Sequence, residues 1–110
     1  MNTELLRRTM DRINGGSIWI QNNWCHCFAG NAIRESGSTP SAVGISNVRA
    51  AAKELLGLSE DDAAELFHAT NTKPQLNRIV AQLISKQTTE DMKAAAEVVD
   101  SIFEPELVDA

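Results

Sequence analysis

The chain has 110 residues, a net charge of −5, 43% hydrophobic and 23% charged side chains, and five aromatics with no tyrosine. That length and balance describe one domain able to bury an aliphatic core, and exclude a disordered or repeat-built chain. Residues 1–58 carry six Lys/Arg against four Asp/Glu (+2) and residues 59–110 carry four against eleven (−7), so the second half is a poor nucleic-acid surface and an acceptable one for a basic protein partner.

The start, Met1-Asn2-Thr3-Glu4-Leu5-Leu6-Arg7-Arg8, lacks the apolar run of a signal peptide. No stretch approaches the roughly 18 apolar residues of a membrane span. A cytosolic protein with reduced cysteines is expected. Leu6, Met10 and Ile13, at i, i+4, i+7 with Leu5 beside them, predict a first helix over 3–13 whose wet side carries Arg7, Arg8 and Arg12. Asn14-Gly15-Gly16 ends it. Residues 17–23 alternate too briefly for a sheet and read as an irregular segment that pins Trp19 or Trp24 onto the core. Exposed, the same tryptophans would mark a binding patch.

Trp24-Cys25-His26-Cys27-Phe28-Ala29-Gly30-Asn31-Ala32 holds both cysteines and one of the two histidines. A helix beginning near Cys25 puts Cys25, Phe28, Ala29, Ala32 and Ile33 on a core-facing stripe, with Cys27, Gly30, Asn31 and Arg34 on the other side. The two thiols then point roughly 200° apart and stay free. Small cysteines most simply fill the core. The sharper readings are a Cys27 nucleophile, with His68 and Asn71 as base and orienting partner, and a metal site on Cys25, His26 and Cys27. The metal reading lacks a second ligand pair, so neither metal nor cofactor is expected. Gly30 is explained by a close approach of helix or loop.

Glu35 to Ser41 is turn-rich, with Gly37 as a cap and Pro40 barring helix continuation. Ile45, Val48, Ala52 and Leu55 predict the next helix, stopped by Gly57. Ser59 caps another, whose first turn holds Glu60, Asp61 and Asp62 and whose inward face is Ala63, Leu66 and Phe67. Thr72 and Gln75 form a capping box with Pro74 between them, opening a helix on Leu76, Ile79, Val80, Leu83 and Ile84. Thr88 with Asp91 reads as a second box before a last amphipathic helix on Met92, Ala95, Ala96, Val99, Ile102 and Phe103, closed by Glu104-Pro105. The expected fold is all-α: a compact single domain, residues 1–110, of about six short helices.

Ala51 to Ser59 leading into Ala63 has the pattern of a DNA-reading helix-turn-helix. Its second helix carries Glu60, Asp61, Asp62 and Glu65 and no Lys or Arg before Lys73, so a DNA backbone would repel it.

Three ordered elements, Cys27 to Ala32, Ala51 to Ser59, and Leu66 to Thr72 running into Leu76–Leu83, give the chain a resemblance. It resembles the small uncharacterised proteins of actinobacteria and their phages that carry a Cys-Phe-Ala-Gly element and a Leu-Phe-x-x-x-Asn-Thr segment. Where those proteins often add a Cys-Gly-Thr before the Cys-Phe-Ala-Gly cysteine, this chain has Asn22-Asn23-Trp24. The resemblance implies phage or prophage origin and a host-cytoplasmic location, and transfers no activity. With no complete catalytic constellation, phosphate loop or basic face, the function expected is a small accessory protein that binds a host or phage protein through Trp19 and Trp24 or through Asp61, Asp62 and Glu65. A Cys27-dependent enzyme and a DNA-binding protein are the alternatives.

Overall fold

The computed structural model describes the backbone of residues 1–109 and the side chains of residues 1–94. Six α-helices and no strands appear among the described residues: α1 Thr3–Asn14, α2 Phe28–Glu35, α3 Pro40–Val43, α4 Val48–Leu56, α5 Glu60–Leu66 and α6 Lys73–Asp109. The all-α class is as expected, although the helices divide the chain differently.

Helix α2 lies between α1 and α4, while α6 lies along α1 and the end of α5. The central place of α2 follows from its sequence: Phe28 to Ile33 are all buried, so it presents apolar or backbone surface in every direction. Leu5, Leu6, Met10 and Ile13 come to it from α1, and Val48, Ala52 and Leu56 from α4. The Phe28 ring stacks on Phe67 with centroids 6.5 Å apart, within the favourable range for aromatic pairs. On the wet side of the α1–α2 seam, Arg8 Nε and Arg12 Nη1 donate to the two Glu35 oxygens at 3.1 and 3.2 Å. Hydrogen bonding from Arg12, then from Arg8, holds the Glu35 carboxyl below the usual carboxylate range.

Several boundaries differ from the sequence reading. Helix α2 begins at Phe28, three residues after Cys25, because Cys27 sits in extended geometry as the N-cap and its sulfur accepts from the Gly30 N–H at 3.5 Å. Pro40 opens a short helix under a Thr39 cap, occupying the first-turn position where a missing N–H has no cost. In α4 the inward stripe is Val48, Ala52 and Leu56, whereas Ile45 and Leu55 are exposed. The turn after α4 does use Gly57, in the left-handed region at φ 66°. The Asn2 N–H donates to the neighbouring Leu56 carbonyl at 2.8 Å, which brings Met1 against the Gly57 backbone.

The break expected near residue 88 is absent. Thr88 donates its hydroxyl back to the Ile84 carbonyl at 2.9 Å, and Asp91 accepts from Gln87 at 3.0 Å, so the would-be capping box sits inside a continuous helix. That helix has 37 residues, about 55 Å at 1.5 Å per residue, and is not short. Its backbone runs past Glu104-Pro105 to Asp109. The Thr72–Gln75 box is present, with reciprocal bonds of 2.8 and 3.3 Å. Leu76, Ile79, Val80 and Leu83 are buried, Ile84 is half-buried, and from Ser85 to Ala94 every side chain but Gln87 is exposed. The face predicted on Ala95, Ala96, Val99, Ile102 and Phe103 lies outside the described side chains.

Gly30 is the most closely approached of the glycines. A Cβ there would lie 2.3 Å from the Cys25 carbonyl oxygen and 2.7 Å from its carbon, both backbone atoms. An unhindered helical Gly→Ala change would gain about 1 kcal/mol. Gly30→Ala is expected instead to lose about 2 kcal/mol in urea unfolding, because the loop must be pushed off the helix. A raised denaturation midpoint would show that the contact does not constrain the fold.

Candidate functional site

The segment between α1 and α2 is irregular in backbone and closely held. Asn23 closes its turn: the side-chain oxygen accepts from the Cys25 and His26 N–H groups at 2.9 and 3.1 Å, and the carbonyl accepts from the Cys27 N–H at 2.9 Å. Asn31, buried on α2, donates to the carbonyls of Ile18, His26 and Cys27 at 3.3, 3.1 and 3.0 Å. Gln21 joins the segment to the rest of the molecule. Its buried carboxamide oxygen accepts from Trp19 Nε1 at 3.0 Å and the Phe28 N–H at 3.1 Å, while its nitrogen donates to the Leu66 and His68 carbonyls at 3.1 and 3.0 Å. Both donors and both acceptor positions of one side chain are thereby used.

The frame sorts the two tryptophans. Trp19 packs partly buried against the core, with Lys73 Nζ 5.8 Å from its ring centroid, a cation–π arrangement. Trp24 points outward and is 38% exposed, with Ile20 at 47% and Ile18 at 66% on the same short segment. A loop of hydrogen-bonded amides therefore carries three uncovered apolar side chains.

The thiols are placed opposite to expectation. Cys27, assigned to the outer side, is 2% exposed, and its sulfur meets only the Gly30 N–H and the Trp24 carbonyl. Cys25, assigned to the core stripe, is partly accessible and has Arg34 Nη2 3.0 Å from its sulfur. Arg34 could not be anticipated, since in a helix starting at Cys25 it would lie half a revolution away around the axis. The turn ahead of α2 removes that separation. The imagined partners of Cys27 are occupied elsewhere. His68 Nδ1 pairs with the Thr70 hydroxyl at 2.8 Å and backbone N–H at 3.3 Å, and Asn71 donates to the Glu65 and Leu66 carbonyls at 2.7 and 3.2 Å, closing the end of α5. No imidazole is a hydrogen-bond partner of either sulfur among the described residues. Among those residues, no three His, Cys, Asp or Glu side chains are grouped to hold a metal ion.

On α5, Asp61 and Glu65 are exposed and Asp62 is half-buried. Ser59 Oγ accepts from the Asp62 backbone N–H at 3.1 Å, and Glu60 pairs with Lys53 across the α4–α5 turn, so of the first-turn acids it is Glu60 that has a side-chain partner. An open cleft between α4 and α5 is lined by Arg49, Lys53, Glu54, Glu60 and Phe67, and the Lys53 ammonium in it is paired with the Glu60 carboxylate. No described helix is long and apolar enough to cross a membrane. Comparison of the chain with protein-family models, curated proteins and solved structures finds no match.

Two measurements check this arrangement. In the native protein iodoacetamide is expected to alkylate Cys25 and to reach Cys27 only after unfolding, as read by peptide mass spectrometry; equal native rates would contradict the burial of Cys27. Gln21→Glu keeps the shape and removes the donors, leaving carboxylate oxygen against the Leu66 and His68 carbonyls, at an expected cost of about 3 kcal/mol at neutral pH. The protonated carboxyl can still donate, so folding raises that carboxyl's pKa above its unfolded value. The deficit relative to wild type is then smallest at low pH and grows as pH rises through the folded pKa. A deficit independent of pH would place the Gln21 amide outside the network.

Proposed function

We propose that the protein works by docking another protein on the loop that carries Ile18, Ile20 and Trp24, as a small cytoplasmic accessory protein of phage or prophage origin. The observation that carries this reading is the combination of exposure and fixation. Large apolar side chains left in water are unfavourable unless something covers them, and here they stand on a backbone tied down by Gln21, Asn23 and Asn31. A rigid apolar display loses little entropy on binding and is the usual form of an interface anchor, tryptophan above all.

The loop is preferred to the acidic face of α5 because Glu60 is already paired with Lys53 and the first-turn acids suit the helix start they occupy, while Ile18, Ile20 and Trp24 are exposed apolar side chains. A thiol enzyme using Cys27 is disfavoured by the burial of its sulfur. The helix-turn-helix reading retains its difficulty, since α5 offers only carboxylates to a phosphate backbone.

Capture from a lysate of cells that carry the gene tests the reading. Wild-type protein is expected to retain a partner that the double variant Ile20→Ser/Trp24→Ala loses and that the charge-reversed variant Asp61→Lys/Glu65→Lys keeps. Retention by the first variant with loss by the second would move the docking face to α5 and overturn the assignment.

A further inference from the structure

We infer that the loop takes an acidic amphipathic peptide segment, one that inserts apolar anchors and carries Asp or Glu beside them; the inference rests on the docking reading above. Between Asp11 and Glu35 the chain contains no acidic residue, although the molecule as a whole carries −5. Glu35 itself is neutralised by Arg8 and Arg12 at 3.1 and 3.2 Å. The apolar trio thus stands in a stretch free of negative side chains, and two cations contact that stretch, one at Cys25 and one at Trp19. Arg34 Nη2 lies 3.0 Å from the sulfur of Cys25, the residue after Trp24. Lys73 Nζ lies 5.8 Å from the ring centroid of Trp19, between Ile18 and Ile20 in sequence.

Neither Arg34 nor Lys73 forms an ion pair among the described residues, whereas Arg8, Arg12 and Lys53 all do. Two cations without a carboxylate partner among the described residues therefore contact the segment that displays the three exposed apolar side chains. The acids of α5 start at Glu60 to Asp62, the end away from the Leu66 carbonyl that Gln21 holds, with Glu65 alone in the last turn. A partner carboxylate beside each anchor meets positive potential at the loop and is steered from the rest of the surface. Exposed pairs of this kind contribute more to selection than to affinity.

Other partner classes fit less well. An anionic bilayer is recognised by clusters of about four to eight Lys/Arg, and it would repel the acidic helices. A nucleic acid demands still more cations. Three apolar side chains also fall short of the roughly 800 Å² per partner of a standard folded interface, which favours a segment over a flat surface.

Selection of a displayed random dodecapeptide library on the full chain, followed by anisotropy titration of the selected peptides, tests the inference. The expected peptides are rich in Asp/Glu next to Leu, Ile, Phe or Trp. They should lose binding to Ile20→Ser/Trp24→Ala and bind about tenfold more weakly to Arg34→Gln/Lys73→Gln and in raised salt. Thermal melts confirm that both variants fold. Basic or uncharged peptides that still require Trp24 would overturn the acidic class and leave the docking loop standing. Peptides indifferent to Trp24, or no selected peptides, would overturn both. Cosedimentation with phosphatidylserine vesicles and not with phosphatidylcholine would replace the peptide by a lipid surface.

Discussion

One buried carboxamide holds the irregular part of this molecule to its regular part. Gln21 lies in the segment between α1 and α2, yet its hydrogen bonds reach the first residue of α2, the last carbonyl of α5 and the His68 carbonyl in the turn beyond it. The Leu66 carbonyl is the last of a seven-residue helix and has no helical partner, while the His68 carbonyl lies in the turn that follows. A single amide therefore satisfies a helix start, a helix end and the Trp19 indole together. Deleting it would leave the Trp19 indole and the Phe28 N–H without their acceptor and take from the Leu66 and His68 carbonyls one of two donors each, the others coming from Asn71. Asn31 acts in the same way from the helix side, and Gly30 lets the two surfaces meet at backbone distance.

This frame explains why helical periodicity described most of the chain and failed at the segment of greatest interest. Periodicity correctly located the apolar stripes of α1, of α5 and of the first half of α6, and capping chemistry correctly located Ser59 and the Thr72–Gln75 box. It extended α2 backwards to Cys25 because a cysteine, a phenylalanine and three aliphatic residues have helical spacing. The Asn23 turn, formed from side-chain to backbone hydrogen bonds, has no periodic signature. Once the start of α2 moves by three residues, both thiols exchange environments and Arg34 arrives beside Cys25. Asn31, a lone amide within Phe28-Ala29-Gly30-Asn31-Ala32-Ile33, was the available sign that something other than a plain apolar contact was being built there. In α6 the opposite error arose, since Thr88 and Asp91 have capping identities but follow Ser85, Lys86 and Gln87, which contain neither glycine nor proline to end the turn before them.

The frame also separates the residues that a chemical reading would group together. His68 and Asn71 lie near the Gln21 anchor, but each is committed to the turn that follows α5. Cys27 caps α2 with its sulfur, a weak acceptor used where serine or aspartate is more common. Residues of potentially reactive type are thus consumed in closing helix ends. The tryptophans divide likewise: Trp19 is bonded, covered and paired with Lys73, and Trp24 is left outward.

Rigid support and apolar exposure on one loop have consequences for affinity that the area of the patch alone would not suggest. Binding ordinarily loses stability to the ordering of each flexible side chain and loop, about 0.5–1.5 kcal/mol per rotamer-rich residue. Here the backbone from Ile18 to Cys27 is fixed before any partner arrives, by amides whose hydrogen bonds are already made inside the protein. The anchors Ile18, Ile20 and Trp24 are stiff side chains with few rotamers to lose. A partner docked there would lose less to loop and side-chain ordering, while the translational and rotational loss of association, about 4–15 kcal/mol, would be unchanged. Under the docking proposed above, the same fixation would limit the range of partners, because a loop that cannot rearrange accepts only segments whose apolar residues match its spacing.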